Sequence, residues 1–219
     1  MKTQAEILTV LRLLNKAYGR LRPFRRTDPV DEIVRTILSQ NTNDKNSLAA
    51  FADLKRAFRS WESLLRAKEA KIAAAIRHAG LSKIKAARIK GVLAEIMVRE
   101  GRLSLARLGR MRPEDALEYL RSLEGIGPKT AACVLLFSFG MPVMPVDTHI
   151  FRVSKRLGLI DAKTGIEEAH GTLSRLVPKR LIYSFHLGII EHGRKTCKAL
   201  HPVCGACVLY GLCKSRGRA

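Results

Sequence analysis

The sequence predicts an all-α protein, on two observations. Apolar residues recur three and four apart through almost every segment, and no segment sustains the strict alternation of a strand. Residues suited to helix starts and stops also stand at the ends of these periodic runs: Thr3, Asp28, Pro113 and Pro128 at starts, Gly80 and Gly101 at stops.

Taken in order, Thr3-Gln4-Ala5-Glu6 reads as a capping box, opening an amphipathic helix with Ile7, Leu8, Leu11 and Leu14 on one side. Arg20-Leu21-Arg22-Pro23-Phe24-Arg25-Arg26 is a basic linker and a domain boundary. Asp28-Pro29-Val30-Asp31 caps a helix bearing Ile33, Val34, Ile37 and Leu38, which runs out in the polar stretch from Ser39 to Asp44. Helical spacing resumes at Leu48, Phe51, Leu54 and Phe58, again around Trp61, Leu64 and Leu65, and then at Ile72, Ala75 and Ile76 before Gly80. Ile84 to Val98 forms a longer helix stopped by Gly101. Arg112 to Leu120 reads as helix with Pro113 near its first position.

The most informative stretch follows. Leu123-Glu124-Gly125-Ile126-Gly127-Pro128-Lys129-Thr130 is a glycine-punctuated turn running into an apolar helix. The two glycines permit positive φ and close approach of the backbone, while Pro128 suits a first helical turn, where its missing N–H leaves no bond unmade. Helix, tight hairpin and helix together point backbone N–H groups outward at a helix N-terminus, an arrangement that takes a phosphate. Asp147, in Pro145-Val146-Asp147-Thr148-His149, fits an N-cap of the next helix.

Composition bounds the partners. The 219 residues carry 40 Lys+Arg against 19 Asp+Glu, a formal net charge of +21, which implies a polyanion, nucleic acid being the usual one. The apolar run from Ala131 to Val146 is interrupted by Ser138, Gly140, Pro142 and Pro145, so no membrane span is expected. No signal peptide is visible at the start of the sequence, and a soluble, cytoplasmic monomer is expected. Cys197, Cys204, Cys207 and Cys213 lie in a C-x6-C-x2-C-x5-C pattern. Four cysteines so close together in an intracellular chain read as a metal site, and tetrathiolate ligation admits either zinc or an iron–sulfur cluster. Cys133, on an apolar helix, reads as a core residue.

The order L-x-G-I-G-x-K-T-A, then V-D-T-H-I-x-R-V, then the cysteine pattern after His192-Gly193-Arg194 resembles the helix-hairpin-helix DNA glycosylase superfamily, in its endonuclease III branch. The resemblance implies a two-lobed all-α fold. One lobe would span residues 25–135 and end in the hairpin; the other would join 1–24 to 136–219 and carry the cluster, with Lys129 and Asp147 facing a cleft. It implies Lys129 as the nucleophile toward a deoxyribose, Asp147 as the assisting carboxylate, and a [4Fe-4S] cluster on the four cysteines. Double-stranded damaged DNA would be the partner. Contacts to it would come from Gly125, Gly127 and Thr130 of the hairpin, from Lys83 and Lys85 at a basic helix start, and from Lys195 and Lys198 beside the cysteines. Gln40 or Asn41 would fill the gap left by a flipped nucleotide, a task that suits a planar amide. The implied activity is excision of oxidised pyrimidines with AP lyase chemistry. The alternatives are a monofunctional mismatch glycosylase and a non-catalytic iron–sulfur DNA-binding protein, in which Lys129 would be a phosphate contact and Asp147 a cap.

Overall fold

The computed structural model describes residues 3–19 and 24–217. Among these the regular structure is entirely helical, with eleven α-helices and several short 3₁₀ turns and no strand. Residues 20–23 of the expected basic linker lie outside the described residues. The chain divides into two compact units, Arg26–Phe139 and a second made from residues of 1–25 and 140–219. The expected boundary at 135/136 would cut a helix, and the division falls instead at that helix's end.

The first unit holds α2 (Pro29–Ser39), α3 (Asp44–Ala57), α4 (Trp61–Arg66), α5 (Glu69–Ala75), α6 (Ser82–Glu100), α7 (Pro113–Arg121) and α8 (Pro128–Phe139). Its centre is α8, from Thr130 to Leu136 buried on all sides, with α2 and α7 packed against it. A helix apolar all round belongs in a core, and this accounts for the near-continuous run Ala131-Ala132-Cys133-Val134-Leu135-Leu136. Asp28 caps α2 by accepting from the N–H groups of Val30 and Asp31 at 2.9 and 3.0 Å, as its sequence position predicts. Thr27 then ties the start of α2 to the far end of α8, its N–H donating to the carbonyl of Phe137 at 3.1 Å.

The second unit holds α1 (Gln4–Tyr18), α9 (Thr148–Leu157), α10 (Ile166–Leu176) and α11 (Ile182–Lys195), with α11 packed on both α1 and α9. The Thr3–Glu6 capping box is present. Gly193 lets α11 and α9 close up: a Cβ there would stand 2.9 Å from the Cβ of His149.

Two apolar assignments differ from expectation. Leu8 is exposed while Val10 is buried, and Leu48 is 60% exposed while Ser47 and Ala50 face the interior. In both helices the buried stripe is rotated by a residue, because packing partners and not periodicity choose the exact centre of the face.

Candidate functional site

The hairpin between α7 and α8 is built as its residues dictate, with one change. Gly125 adopts φ +80, and any Cβ there would also press on the side chain of Arg88 at 3.1 Å. Gly127, expected to use positive φ as well, does not; it stands exposed just before Pro128, with open space where a Cβ would be, and its carbonyl accepts from the N–H of Ala131 at 3.0 Å. A positive φ is therefore not what requires glycine at this position. The first turn of α8 carries no acidic residue, so its positive dipole end and outward N–H groups are not neutralised from within the helix. Thr130 is buried there, so its contribution is structural support beneath the turn.

Lys129, half-buried, follows in that first turn. On the helix packed against it, Glu32 is half-buried and its carboxyl is pushed up from the ordinary Glu value by burial; a hydrogen bond from the Thr27 side chain and the charges of Arg35 and Lys129 pull the other way. Nothing in the sequence pattern singled out Glu32. Asp147, in the other unit, is the N-cap of α9, its Oδ1 accepting from the N–H of Ile150 at 2.8 Å. His149 sits beside it and meets Arg152 Nη2 at 3.1 Å, a structural contact.

The loop after α2 distinguishes the two amides left open by the sequence. Gln40 Oε1 accepts from Arg88 Nη1 at 2.7 Å. Asn41 is exposed and left-handed, with φ 50. A second left-handed residue, Leu81 at φ 49, opens α6; its side chain is 53% exposed and offers no cap to the helix. With His201, φ 52, they are the three non-glycine residues at positive φ among the described residues; asparagine adopts this conformation readily, whereas for leucine it is a strained state of the kind that clusters at functional sites. Helical periodicity gives no reason to single out Leu81; the available signal was a Gly-Leu pair directly before a basic helix start.

The basic residues of α6 separate. Lys83 is exposed in a first turn that lacks any acidic residue. Lys85 is not available to a ligand, contrary to its expected role. It is 2% exposed, and its ammonium donates to the carbonyls of Leu38 and Ala79, both at 2.8 Å. It stitches α2 to the turn before α6, and burial pushes its pKa down. In the second unit Lys195 is engaged with Glu191 at 2.7 Å, while Lys198 is exposed.

The four cysteines come together. Cys197, Cys204, Cys207 and Cys213 line one small cavity together with His192, Thr196 and Arg156. Burial, with neighbouring thiols adding to it, pushes the Cys207 and Cys213 thiols up. The four thiols share the walls of one space, a donor set that suits either zinc or an iron–sulfur cluster. Arg156 donates to Cys197 Sγ at 3.4 Å and to the carbonyls of Lys198 and Ala199, and Arg152 donates to the carbonyl of Cys197 at 3.0 Å. Two arginines from α9 thus hold the loop in shape and place positive charge beside the sulfurs. His192 is buried, which pushes its pKa down to about 4 and keeps it neutral.

A helix-hairpin-helix with a first-turn lysine, an aspartate-capped helix and a tetracysteine loop define a class, and the comparisons agree. The chain belongs to the HhH-GPD superfamily of base excision DNA repair proteins, whose model matches residues 34–179. Within that superfamily it is similar to endonuclease III of Thermotoga maritima, 35% identical over 88% of this chain and 86% of that one. A putative DNA glycosylase of Arabidopsis thaliana is 36% identical over 77% of this chain, which spans 58% of that longer protein. Among solved structures, a non-covalent endonuclease III–DNA complex superposes with a TM-score of 0.83 at 28% identity, covering 98% of this chain and 96% of that one. A trapped endonuclease III–DNA covalent intermediate gives a TM-score of 0.79, also at 28% identity, covering 98% and 97%. Among the described residues no helix is long and apolar enough to cross a membrane.

Proposed function

We propose that this protein is a base-excision DNA glycosylase with associated AP lyase activity, acting as a monomer on double-stranded DNA that carries an oxidised pyrimidine. The observation that carries this reading is Lys129: a half-buried lysine in the first turn of the helix that follows the hairpin. An amine in that place can take two steps that a phosphate contact cannot. The neutral amine attacks C1′ of the damaged nucleotide, the C1′–N bond breaks, and the base leaves with a proton. Ring opening gives a Schiff base, loss of a C2′ proton expels the 3′ phosphate, and hydrolysis releases Lys129. Asp147, held by its own helix as an N-cap, supplies the carboxylate that stabilises positive charge developing on the sugar.

Chemistry on a stacked base requires that its nucleotide be turned out of the duplex. Asn41 presents the amide that takes the vacated place, and Leu81 acts as an apolar wedge at the neighbouring step, since a large apolar side chain can insert between stacked bases. Gly125, Gly127, Lys83 and Lys198 supply phosphate contacts. Cys197, Cys204, Cys207 and Cys213 hold a [4Fe-4S] cluster, which when bound supplies thiolate–iron bonds that fix the loop.

Borohydride trapping on a duplex with one oxidised pyrimidine tests the reading, comparing the protein with Lys129→Ala. The expected result is a covalent adduct that requires Lys129. No adduct on any lesion or abasic site would overturn the lyase assignment in favour of monofunctional excision or binding alone.

A further inference from the structure

The tetracysteine loop is joined to the N-terminal helix by a chain of hydrogen bonds that the glycosylase reaction does not use. Thr196 Oγ1 lies 2.7 Å from Tyr18 Oη, Tyr18 Oη lies 2.8 Å from Nδ1 of His192, and Nε2 of His192 lies 3.6 Å from Sγ of Cys207. Tyr18 is 174 residues from His192 in sequence, so folding brings the two ends of the unit together at this point.

Directions along the chain follow from chemistry. A metal-ligating cysteine is a thiolate, which accepts and cannot donate, so Nε2 of His192 carries the proton. The neutral ring then has Nδ1 as its acceptor, which takes the Tyr18 hydroxyl proton. The Tyr18 oxygen in turn accepts from the Thr196 hydroxyl. Every donor is used once, and only one tautomer of His192 satisfies all three contacts.

We propose that His192, locked in its Nε2–H tautomer by Tyr18, is a positioning residue that directs one N–H···S hydrogen bond at Cys207 and thereby raises the reduction potential of the bound iron–sulfur cluster. The proposal rests on the [4Fe-4S] reading given above. A donor aimed at a ligand sulfur stabilises whichever cluster state carries more negative charge, which is the reduced one. Because the thiolates differ in their neighbours, with Arg156 on Cys197 and His192 on Cys207, the effect would be exerted through Cys207.

The test uses the iron-loaded protein, its Tyr18→Phe variant and its His192→Leu variant, which has no side-chain donor, each measured for cluster reduction potential, for the rate of iron loss to a chelator, and for thermal stability. Tyr18→Phe keeps the ring and removes only the hydroxyl that holds the tautomer. It is expected to lower the reduced-to-oxidised ratio at a fixed potential severalfold. For His192→Leu the expected loss approaches tenfold, which is 59 mV for a one-electron couple. Both should release iron faster. Potentials unchanged in both variants, even with lowered thermal stability, would overturn the proposal and leave Tyr18 and His192 as packing residues. Parent protein that carries no iron would overturn the cluster reading itself, a result separable from the first.

Discussion

The side-chain oxygen of Gln40 accepts a hydrogen bond from Arg88 at 2.7 Å, while the adjacent Asn41 stands exposed in a left-handed conformation. Two neighbouring amides thus have different duties: one is held by the fold, the other is presented outward. Asn41→Gly removes the amide without straining a backbone at φ 50. It is expected to weaken binding to an abasic-site duplex about tenfold, about 1.4 kcal/mol. Gln40→Ala should change it by less than about threefold, under roughly 0.7 kcal/mol on the same scale. Fluorescence anisotropy on one labelled duplex decides between them, and the reverse order would assign the gap-filling role to Gln40.

Leu81 is predicted to couple stability to function in opposite senses. Its left-handed backbone costs about 1 kcal/mol that glycine would not incur. Leu81→Gly is therefore expected to raise the melting temperature while lowering excision from fully paired duplex, the substrate that needs unstacking. Excision from single-stranded substrate should change much less. Equal losses on both substrates would remove the wedge assignment.

Lys83 and Lys85 are two residues apart and predicted to behave as opposites. Lys83→Ala should reduce the slope of log K against log salt by about one phosphate contact, with little change in stability. Lys85→Met leaves the Leu38 and Ala79 carbonyls without their donor and should destabilise by about 2 kcal/mol or more, with the salt slope intact. Denaturant melts and salt titrations of the two variants measure both effects.

Glu32 gives stability a defined pH dependence. Its folded-state pKa is raised, chiefly by burial, above the ordinary 4.5. Between the unfolded and folded values the folded chain holds more protons, so this group's contribution falls as pH rises through that window and is level above it. Glu32→Gln removes the titration. Its stability relative to the parent should therefore rise from below pH 4.5 toward neutrality, read by thermal melts at a series of pH values. A difference that does not vary with pH would show that Glu32 is not the responsible group.

Much of this architecture was legible in the sequence because it depends on local chemistry. The capping box at Thr3, the Asp28 and Asp147 caps, Pro128 at a helix start and the glycine stop at Gly101 are each settled within a few residues, so a short window contains all that is needed; the helix expected to run to Gly80 instead ends at Ala75, and Gly80 closes the 3₁₀ turn Arg77–Ala79 that follows. The hairpin and the cysteine spacing were readable for the same reason, and their order along the chain pointed to the family. What escaped the sequence was tertiary. Periodicity places an apolar stripe to within a residue, and neighbouring helices decide its centre, so Leu8 and Leu48 emerged exposed.

By itself, the sequence determined the all-helical class, the hairpin, the lysine, the capping aspartate and the four thiols. Only the tertiary structure decided which basic and polar side chains are available. Lys83 and Lys85 have the same chemistry and nearly the same position, yet one faces solvent and the other joins the carbonyl of Ala79 to that of Leu38, 47 residues back. Gln40 is held by Arg88, 48 residues on, and His192 by Tyr18, 174 residues back. A side chain's role depends on which partner its donor or acceptor finds when buried, and those partners are brought together only by packing of segments remote in sequence.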